Sequence, residues 1–283
     1  MSDSAAASSS ARASTVSTSL ADSRLQLHHA AQLCAAFGIS YLTPQDDDSH
    51  TSLRWNSVRG AFMSGSVVSA LGMIAVGLRV ADLTLFVTRD HEVTHTIRLH
   101  GTSLAGAAQR LAVALSANRM YGDRLTLKRH YAIPAHAVAD GALFDGSDTA
   151  SFIALHRWFD TGARALQHLA AGQSVPAEIL LWPHHFDLAV LFPVGNGGSN
   201  GAGLVAGDAY YDEPYYYVNA YPMPPNAVLD PAALEGGGLW HTNEWTGAVL
   251  RGSRIQGDGV TQRAQVDAFL TSALAACRSL LES

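Results

Sequence analysis

Apolar positions along the chain recur with two different periods, and these periods predict its elements. Between Ile74 and Val80 every second residue is apolar, which is typical of a strand with one buried face. From Ser103 to about Met120 the apolar residues recur every three or four positions, as on a helix with one buried face. In chain order the pattern predicts a helix over Leu20–Phe37 closed by Gly38, strands over Thr51–Gly65, Met73–Thr88 and Glu92–His100, helices over Ser103–Met120 and Thr149–Ala171, strands over Ala177–Val194, Leu204–Tyr221 and Leu239–Ile255, and a helix over Thr261–Leu281.

The order helix, three strands, helix occurs twice, which indicates an internal duplication. We expect one globular domain over 21–283, built of two halves at about 21–121 and 148–283 that a crossing segment joins. Consecutive strands with short links favour an α+β fold, with antiparallel sheet and the helices packed on one side. Pockets often form where two such halves meet, so we expect the functional site there.

Composition excludes several classes of protein. A chain of 283 residues with 48% hydrophobic residues can bury a large core. The net charge of -6 and the lack of a Lys/Arg cluster argue against a nucleic-acid partner. No apolar run reaches the roughly 18 uninterrupted residues that a membrane span needs, so we expect no membrane partner.

The N-terminal segment and the cysteines bear on location. Residues 1–20 are rich in Ser and Ala, which favours a disordered tail over a secretory signal, although a transit peptide stays open. Cys34 and Cys277 each fall on a predicted apolar helix face, so neither a disulfide framework nor a thiolate metal site is expected. A cytoplasmic location follows as the expectation.

The segment Trp182–Asp187 places two imidazoles and a carboxylate in an otherwise apolar stretch, where polar groups are costly unless paired or used. In a strand, residues two apart share a face, so His185 and Asp187 are predicted to point the same way, with His184 opposite. An imidazole and a carboxylate at that spacing can bind a divalent metal, or act as a base with its orienting acid. The alternative is a hydrogen-bonded pair that only stabilises the fold.

The segment Gly207–Tyr217 again mixes carboxylates with aromatic rings. Strand parity makes Glu213 the partner predicted for His185, although Pro214 indicates an edge or a bulge. The tyrosines either form an aromatic cage for a ligand or pack a core with their hydroxyl groups bonded.

Two further segments contain candidate residues. Asp46–His50 combines three acids with a histidine, which can reach a cation from a loop or form an ordinary solvated turn. Leu239–Trp245 interleaves aromatic and polar side chains, with Trp240, His241 and Glu244 as candidates.

Four motifs together resemble an uncharacterised bacterial protein family, a domain of unknown function. The resemblance covers roughly residues 25–281, and a more distant likeness at Thr51–Trp55 and Phe186–Val190 is to another large family of unknown function. The resemblance to the bacterial family implies that these segments belong together. It implies no reaction, cofactor or catalytic residue. The motifs are Asp47–Thr51, Trp182–Asp187, Gly207-Asp208 with Glu213-Pro214-Tyr215, and Trp240–Thr242 with Trp245–Leu250.

Two hypotheses of different classes follow. In the first, the protein is a metal-dependent hydrolase of a small molecule, because a bound divalent ion lowers the pKa of water towards neutrality. One ion (Zn, Mn or Fe) is then held by His185, Asp187 and Glu213, and the acid/base is His184, His50 or His241. In the second, it is a metal-free small-molecule binding protein with an aromatic pocket. The pocket predicted in either case is lined by Trp182, Asp208, Tyr211, Tyr215, Tyr217, Trp240 and Glu244.

A third interpretation makes His185 and Asp187 purely structural. Exposed strand edges and the run of tyrosines also suggest a homodimer.

Overall fold

The protein has a mixed α+β fold with four helices and two antiparallel sheets of six strands in the part of the chain that is described. The computed structural model describes residues 4–282, with the side chains of 20–195 and 197–282. The helices are α1 (Ser4–Tyr41), α2 (Leu104–Ala117), α3 (Thr149–Ala171) and α4 (Gly259–Glu282). The α+β class with antiparallel strands that the sequence predicted is therefore confirmed.

The strands are short and follow one another along the chain. The first sheet has the order β1-β2-β4-β5-β6, with β3 paired to β4, and the second has the order β11-β12-β10-β9-β8-β7. The strands of the first sheet are β1 (Arg54–Asn56), β2 (Ala61–Met63), β3 (Val67–Ser69), β4 (Gly72–Arg79), β5 (Thr84–Arg89) and β6 (Glu92–Arg98). Those of the second are β7 (Leu180–Trp182), β8 (Asp187–Val194), β9 (Gly198–Val205), β10 (Tyr215–Tyr221), β11 (Leu239–His241) and β12 (Gly247–Arg251).

The chain divides into two compact units whose bounds differ from the predicted halves. Unit 1 comprises Met1–Arg157 and Leu181–Phe186, and unit 2 comprises Trp158–Leu180 and Asp187–Ser283. The predicted crossing segment therefore belongs to unit 1, and a short piece of the second half of the chain returns to that unit. The duplication itself stays a prediction.

In unit 1, α1 packs on β4, and α2 packs on β5 and β6. The side chains predicted to share one strand face, from Ile74 to Leu78 on β4 and Val80 just beyond it, are fully buried. The Ser103 hydroxyl accepts a hydrogen bond from Gly106 N and so caps the start of α2. In unit 2, α4 packs on β9, β10 and β12.

Five of the six predicted strands each contain parts of two strands, and only Glu92–His100 holds a single one. The predicted strand Met73–Thr88 is the hairpin β4–β5, whose turn contains Leu83 with a positive φ of 49°. Turns of this kind usually contain Gly or Asn, and a leucine there gives no signal in the sequence. The predicted strands over Ala177–Val194 and Leu204–Tyr221 likewise break, into β7 and β8 and into β9 and β10.

Helix α1 is longer than predicted at both ends. It includes residues 4–20, which the sequence assigned to a disordered tail, whereas Met1–Asp3 lie outside the described residues. This segment contains no Gly or Pro to end a helix. At the other end, α1 continues through Gly38 instead of ending there. The lack of a side chain at Gly38 allows close packing, because a Cβ there would lie 2.2 Å from the His50 carbonyl oxygen.

Within residues 4–282, no helix combines the length and the apolar character that a membrane span requires.

Candidate functional site

The Trp182–Asp187 motif does not form a continuous strand. Residues 183–186 form a turn, Phe186 has a positive φ of 57°, and its N–H donates to the Trp182 carbonyl over 2.7 Å. The common strand face predicted for His185 and Asp187 is therefore wrong, because His185 lies in this turn. His185 belongs to unit 1, and Asp187 begins β8 in unit 2.

Helix α1 holds this turn within unit 1 through buried polar side chains. The Pro183 carbonyl accepts hydrogen bonds from His28 Nε2 (2.8 Å) and from Gln32 Nε2 (2.9 Å). The His28 ring also stacks on Phe186, with centroids 4.8 Å apart. Tyr131 donates its hydroxyl proton to Gln32 Oε1 over 3.0 Å. Side chains of α1, near the start of the chain, thus hold a turn that lies much later in the sequence.

Imidazole rings gather around this turn in unit 1. The rings of His184 and His185 have centroids 4.2 Å apart, and those of His29 and His136 are 5.7 Å apart. His28 and His29 are 6.3 Å apart. We call this group the histidine cluster; it consists of His28, His29, Arg129, His130, His136, His184 and His185.

Three rings of the histidine cluster are held in the neutral state. Burial lowers the pKa of His28 to about 4, against a weaker opposite effect of its hydrogen bond to Pro183. Burial also lowers the pKa of His29 and of His184, with a further lowering from neighbouring imidazoles. At neutral pH these rings are therefore uncharged.

Two carboxylates of the acidic run before His50 have partners within the protein. Asp47 Oδ1 accepts from Ser49 N over 3.0 Å, and hydrogen bonds from Ser49 hold the pKa of this carboxyl below its usual value. Asp48 Oδ2 lies 2.8 Å from His130 Nε2. The solvated-turn interpretation fits these contacts.

His50 lines a cavity in unit 1. The cavity has a volume of about 330 Å³ and lies beside β1, behind the Asp46–His50 segment. Gln45 N donates to His50 Nδ1 over 3.2 Å, so in the neutral ring Nε2 carries the proton. The lining residues are Leu42, Thr43, Gln45, Ser49, His50, Arg54 and Gly65.

A second cavity of about 340 Å³ in unit 1 lies between α2 and β6. Its Arg110 side chain donates to the Arg98 carbonyl and to Thr102 Oγ1, both over 3.4 Å. His95 Nδ1 lies 3.2 Å from Thr94 Oγ1. Two polar groups of this second cavity, those of His95 and Arg110, thus have partners within the protein.

In unit 2 the predicted pocket residues form a network of tyrosines and carboxylates. Tyr217 donates to Asp187 Oδ2 over 2.5 Å, and Tyr215 donates to Asp208 Oδ2 over 2.6 Å. Asp208 Oδ1 also accepts from the backbone of Tyr210 and Tyr211, which shapes the loop between β9 and β10. Burial, reinforced by these carboxylates, raises the pKa of Tyr215 and Tyr217.

The remaining candidates of unit 2 are held in the same way. His241 lies between Tyr211 Oη (2.8 Å from Nδ1) and the Asn243 carbonyl (2.7 Å from Nε2), so both ring nitrogens are bonded. Tyr210 donates to Glu244 over 2.8 Å. Trp240 donates its indole N–H to the Asp230 carbonyl over 2.9 Å.

Glu213, predicted as a metal ligand, faces residues just after β12 instead. Its carboxylate accepts from Ser253 N over 2.6 Å and from Ser253 Oγ over 3.0 Å, and lies 3.2 Å from Arg251 Nε. Among the described residues no three His, Cys, Asp or Glu side chains are grouped closely enough to hold a metal ion. Each carboxylate predicted as a ligand thus has a partner from the protein.

The sequence did not single out the buried pair His28-His29, nor the cavity residues Leu42, Thr43 and Gln45. Two adjacent histidines inside the apolar run Leu25–Phe37 were the signal for the first. No local sequence pattern predicts the cavity, because Gly65 contributes to its lining from outside the 42–54 segment.

No protein-family model matches the chain, and neither a curated protein nor a solved structure matches it. The resemblance to an uncharacterised bacterial family therefore stays a prediction.

Proposed function

We propose that the protein is a metal-free small-molecule binding protein whose ligand occupies the cavity beside His50. One observation carries the proposal: a cavity of about 330 Å³ is lined by a guanidinium, an imidazole, two hydroxyls and a carboxamide. Small-molecule sites begin at about 300 Å³ and combine an apolar wall with a few polar groups that orient the ligand. Two segments that the sequence singled out, Asp46–His50 and Thr51–Trp55, contribute to this lining.

The lining favours a ligand that carries acceptor oxygens. His50 presents a ring N–H at Nε2, because Gln45 N occupies Nδ1. Arg54 contributes a permanently charged guanidinium, which pairs best with carboxylate or other planar oxygen acceptors. Leu42 supplies an apolar wall, and Gly65 packs so tightly on it that a Cβ would lie 2.6 Å from Leu42 Cδ1. A small compound with one carboxylate or carbonyl end fits this set.

The contacts favour this binding function over the metal-dependent hydrolase. The hydrolase needs Asp187 and Glu213 as ligands, and these carboxylates bind Tyr217 and Ser253. Of the three histidines predicted as its acid or base, His241 has both ring nitrogens bonded within the protein. The internal duplication, a homodimer and a cytoplasmic location stay predictions from the sequence.

A ligand-observed NMR screen of small carboxylates and carbonyl compounds tests the proposal. We expect compounds that bind the native protein and lose at least about tenfold in affinity in both His50→Phe and Arg54→Gln. Phenylalanine keeps the size of the ring without its nitrogens, and glutamine removes the charge but keeps hydrogen-bonding capacity.

Arg59→Gln is the matched control, because Arg59 lies near Arg54 in the chain but does not line the cavity. Affinities in this variant should stay within about twofold of the native value. The proposal would be refuted if the compounds bind both cavity variants as tightly as the native protein, or if no compound binds at all.

A further inference from the structure

Strand β6 is an edge of the first sheet, because β5 is its neighbour on one side and no strand of residues 4–282 pairs with the other side. Just beyond β6, Leu99 N donates to the Leu83 carbonyl, and two residues earlier Ile97 lies opposite Leu85. In an antiparallel pair every second residue bonds to the partner strand. The backbone N–H and C=O of Thr96 therefore point away from β5, and Thr96 is exposed.

The second cavity forms a groove along this free edge. Helix α2 follows β6 in the chain and runs back beside it. At one end the Arg110 guanidinium contacts the Arg98 carbonyl over 3.4 Å, and at the other end Asn118 Nδ2 lies 3.3 Å from His95 Nδ1. The lining of the groove includes Thr96, whose backbone faces outward. The groove therefore joins side-chain space to free backbone groups.

The lining combines an apolar surface with one permanent positive charge. Its apolar side chains are Ile97, Ala114 and Val113, and Val113 is 66% exposed. Arg110 uses only Nη1, in two long contacts of 3.4 Å to the Arg98 carbonyl and Thr102 Oγ1. No carboxylate is among the described residues that line the groove. The charge of the groove is thus complementary to a carboxylate.

We propose that the groove between α2 and β6 binds an extended peptide that adds a strand to β6 and places a carboxylate at Arg110. Thr96 supplies the main-chain hydrogen bonds, and alternate side chains of the peptide enter the groove against Ile97 and Val113. Arg110 lies beside the C-terminal end of β6, so a peptide that presents its own terminal carboxylate runs parallel to this strand. The groove shares no residue with the cavity beside His50, so this peptide site goes beyond the proposed function.

Fluorescence anisotropy with short labelled peptides tests the proposal. The probes are four hexapeptides in which Thr alternates with Val, Leu, Ile or Phe, and whose last, apolar residue has a free carboxylate. At least one probe should saturate the native protein below about 1 mM, and its C-terminal amide should bind at least about fivefold more weakly. Failure of all four probes to saturate, or equal binding of acid and amide, would overturn the proposal.

The variant Arg110→Gln tests where the carboxylate binds. It should abolish the difference in affinity between acid and amide, because the guanidinium fork is removed. Arg119→Gln is the matched control, since Arg119 lies just after α2 and does not line the groove. The difference between acid and amide should stay within about twofold of its native value in this control. An acid preference that survives in Arg110→Gln would place the carboxylate elsewhere and contradict the proposal.

N-methylation of the peptide tests strand pairing without altering the protein. In an added strand every second N–H of the peptide points to β6, so the effect should alternate along the peptide. Of two consecutive central residues, N-methylation of one should weaken binding by at least about tenfold, and N-methylation of the other by less than about threefold. Similar effects at both residues would rule out an added strand.

Two other occupants of the groove give different results. Acetylvaline has the carboxylate and one apolar side chain but cannot form a strand. If it binds as tightly as the best hexapeptide, the groove takes a small carboxylate and the peptide proposal is overturned. Sedimentation velocity tests for a second copy of the chain: a dimer that the hexapeptide dissociates would show that β6 pairs with its own copy instead.

Discussion

Gly38 shows how one small residue positions a candidate site residue. It lies inside α1, and its lack of a side chain lets the His50 backbone approach, with only 2.2 Å between an added Cβ and the His50 oxygen. Backbone atoms cannot move aside as the end of a flexible side chain can. The geometry beside the cavity therefore depends on this glycine.

Gly38→Ala should lower the free energy of unfolding by about 2 to 3 kcal/mol, because the helix and the His50 segment must separate. Urea unfolding at neutral pH measures the change. Gly259→Ala is the control, since no neighbouring atom lies within 4 Å of a Cβ at that position, and it should leave stability within about 0.5 kcal/mol. A Gly38 variant as stable as this control would show that the close approach is not maintained.

Tyr217→Phe tests the network of unit 2 at the level of one hydroxyl. The change removes the donor that lies 2.5 Å from Asp187 Oδ2, and Asp187 is buried, so the free energy of unfolding should fall by about 1 to 3 kcal/mol. Tyr221→Phe, at the exposed end of the same strand, should cost less than about 0.5 kcal/mol. Equal effects on urea unfolding would contradict the account of this hydrogen bond.

Helix α1 contributes to the pH response of unit 1, because the pKa values of its histidines His28 and His29 are lowered by burial and the unfolded chain binds protons more readily. The folded-state pKa of His28 is about 4, against an ordinary value of 6.5. Between these values the unfolded state binds more protons, so the stability contributed above pH 6.5 is lost as the pH falls towards 4. The full loss from His28 is on the order of 3 kcal/mol.

His28→Gln keeps a donor for the Pro183 carbonyl and removes the titrating group. Its free energy of unfolding should fall less steeply between pH 6.5 and pH 4.5 than that of the native protein, by urea titration at each pH. His91→Asn, in the exposed turn between β5 and β6, should keep the native slope. An unchanged slope in the His28 variant would rule out its part in the response.

At the scale of elements, helices were predictable and hairpins were not. The bounds predicted for α3 match, and those of α2 and α4 agree within a few residues, because their apolar stripes are long and regular. The turn after β4 escaped prediction because it contains Leu83 rather than Gly, and its Arg79–Asp82 ion pair of 2.7 Å is visible only in the structure.

The candidate sites are formed by contacts between residues far apart in the chain, and no local sequence pattern predicts such contacts. His28 and Pro183 are separated by 155 positions in the chain, and the hydrogen bond between them is a product of tertiary structure. The predicted metal ligands had the right chemistry, but strand parity could not foresee the turn at 183–186. The sequence therefore indicated which residues have suitable chemistry, but it did not predict which of them lie close together in the fold.

At the scale of the whole molecule, the two units use polar residues differently. In unit 2 the hydroxyls of Tyr215 and Tyr217 and both nitrogens of His241 have protein partners. In unit 1 a cavity with polar lining residues lies beside His50. We therefore propose ligand binding for unit 1 and a stabilising role for the network of unit 2.

The most direct test of this assignment is a map of backbone amide chemical shifts by NMR, recorded while the tightest carboxylate from the screen is added. We expect the shifted amides to cluster in residues 42–54 and at Gly65, with the amides around Tyr215 and Tyr217 unchanged. Shifts centred on the tyrosine network, with none beside His50, would contradict it.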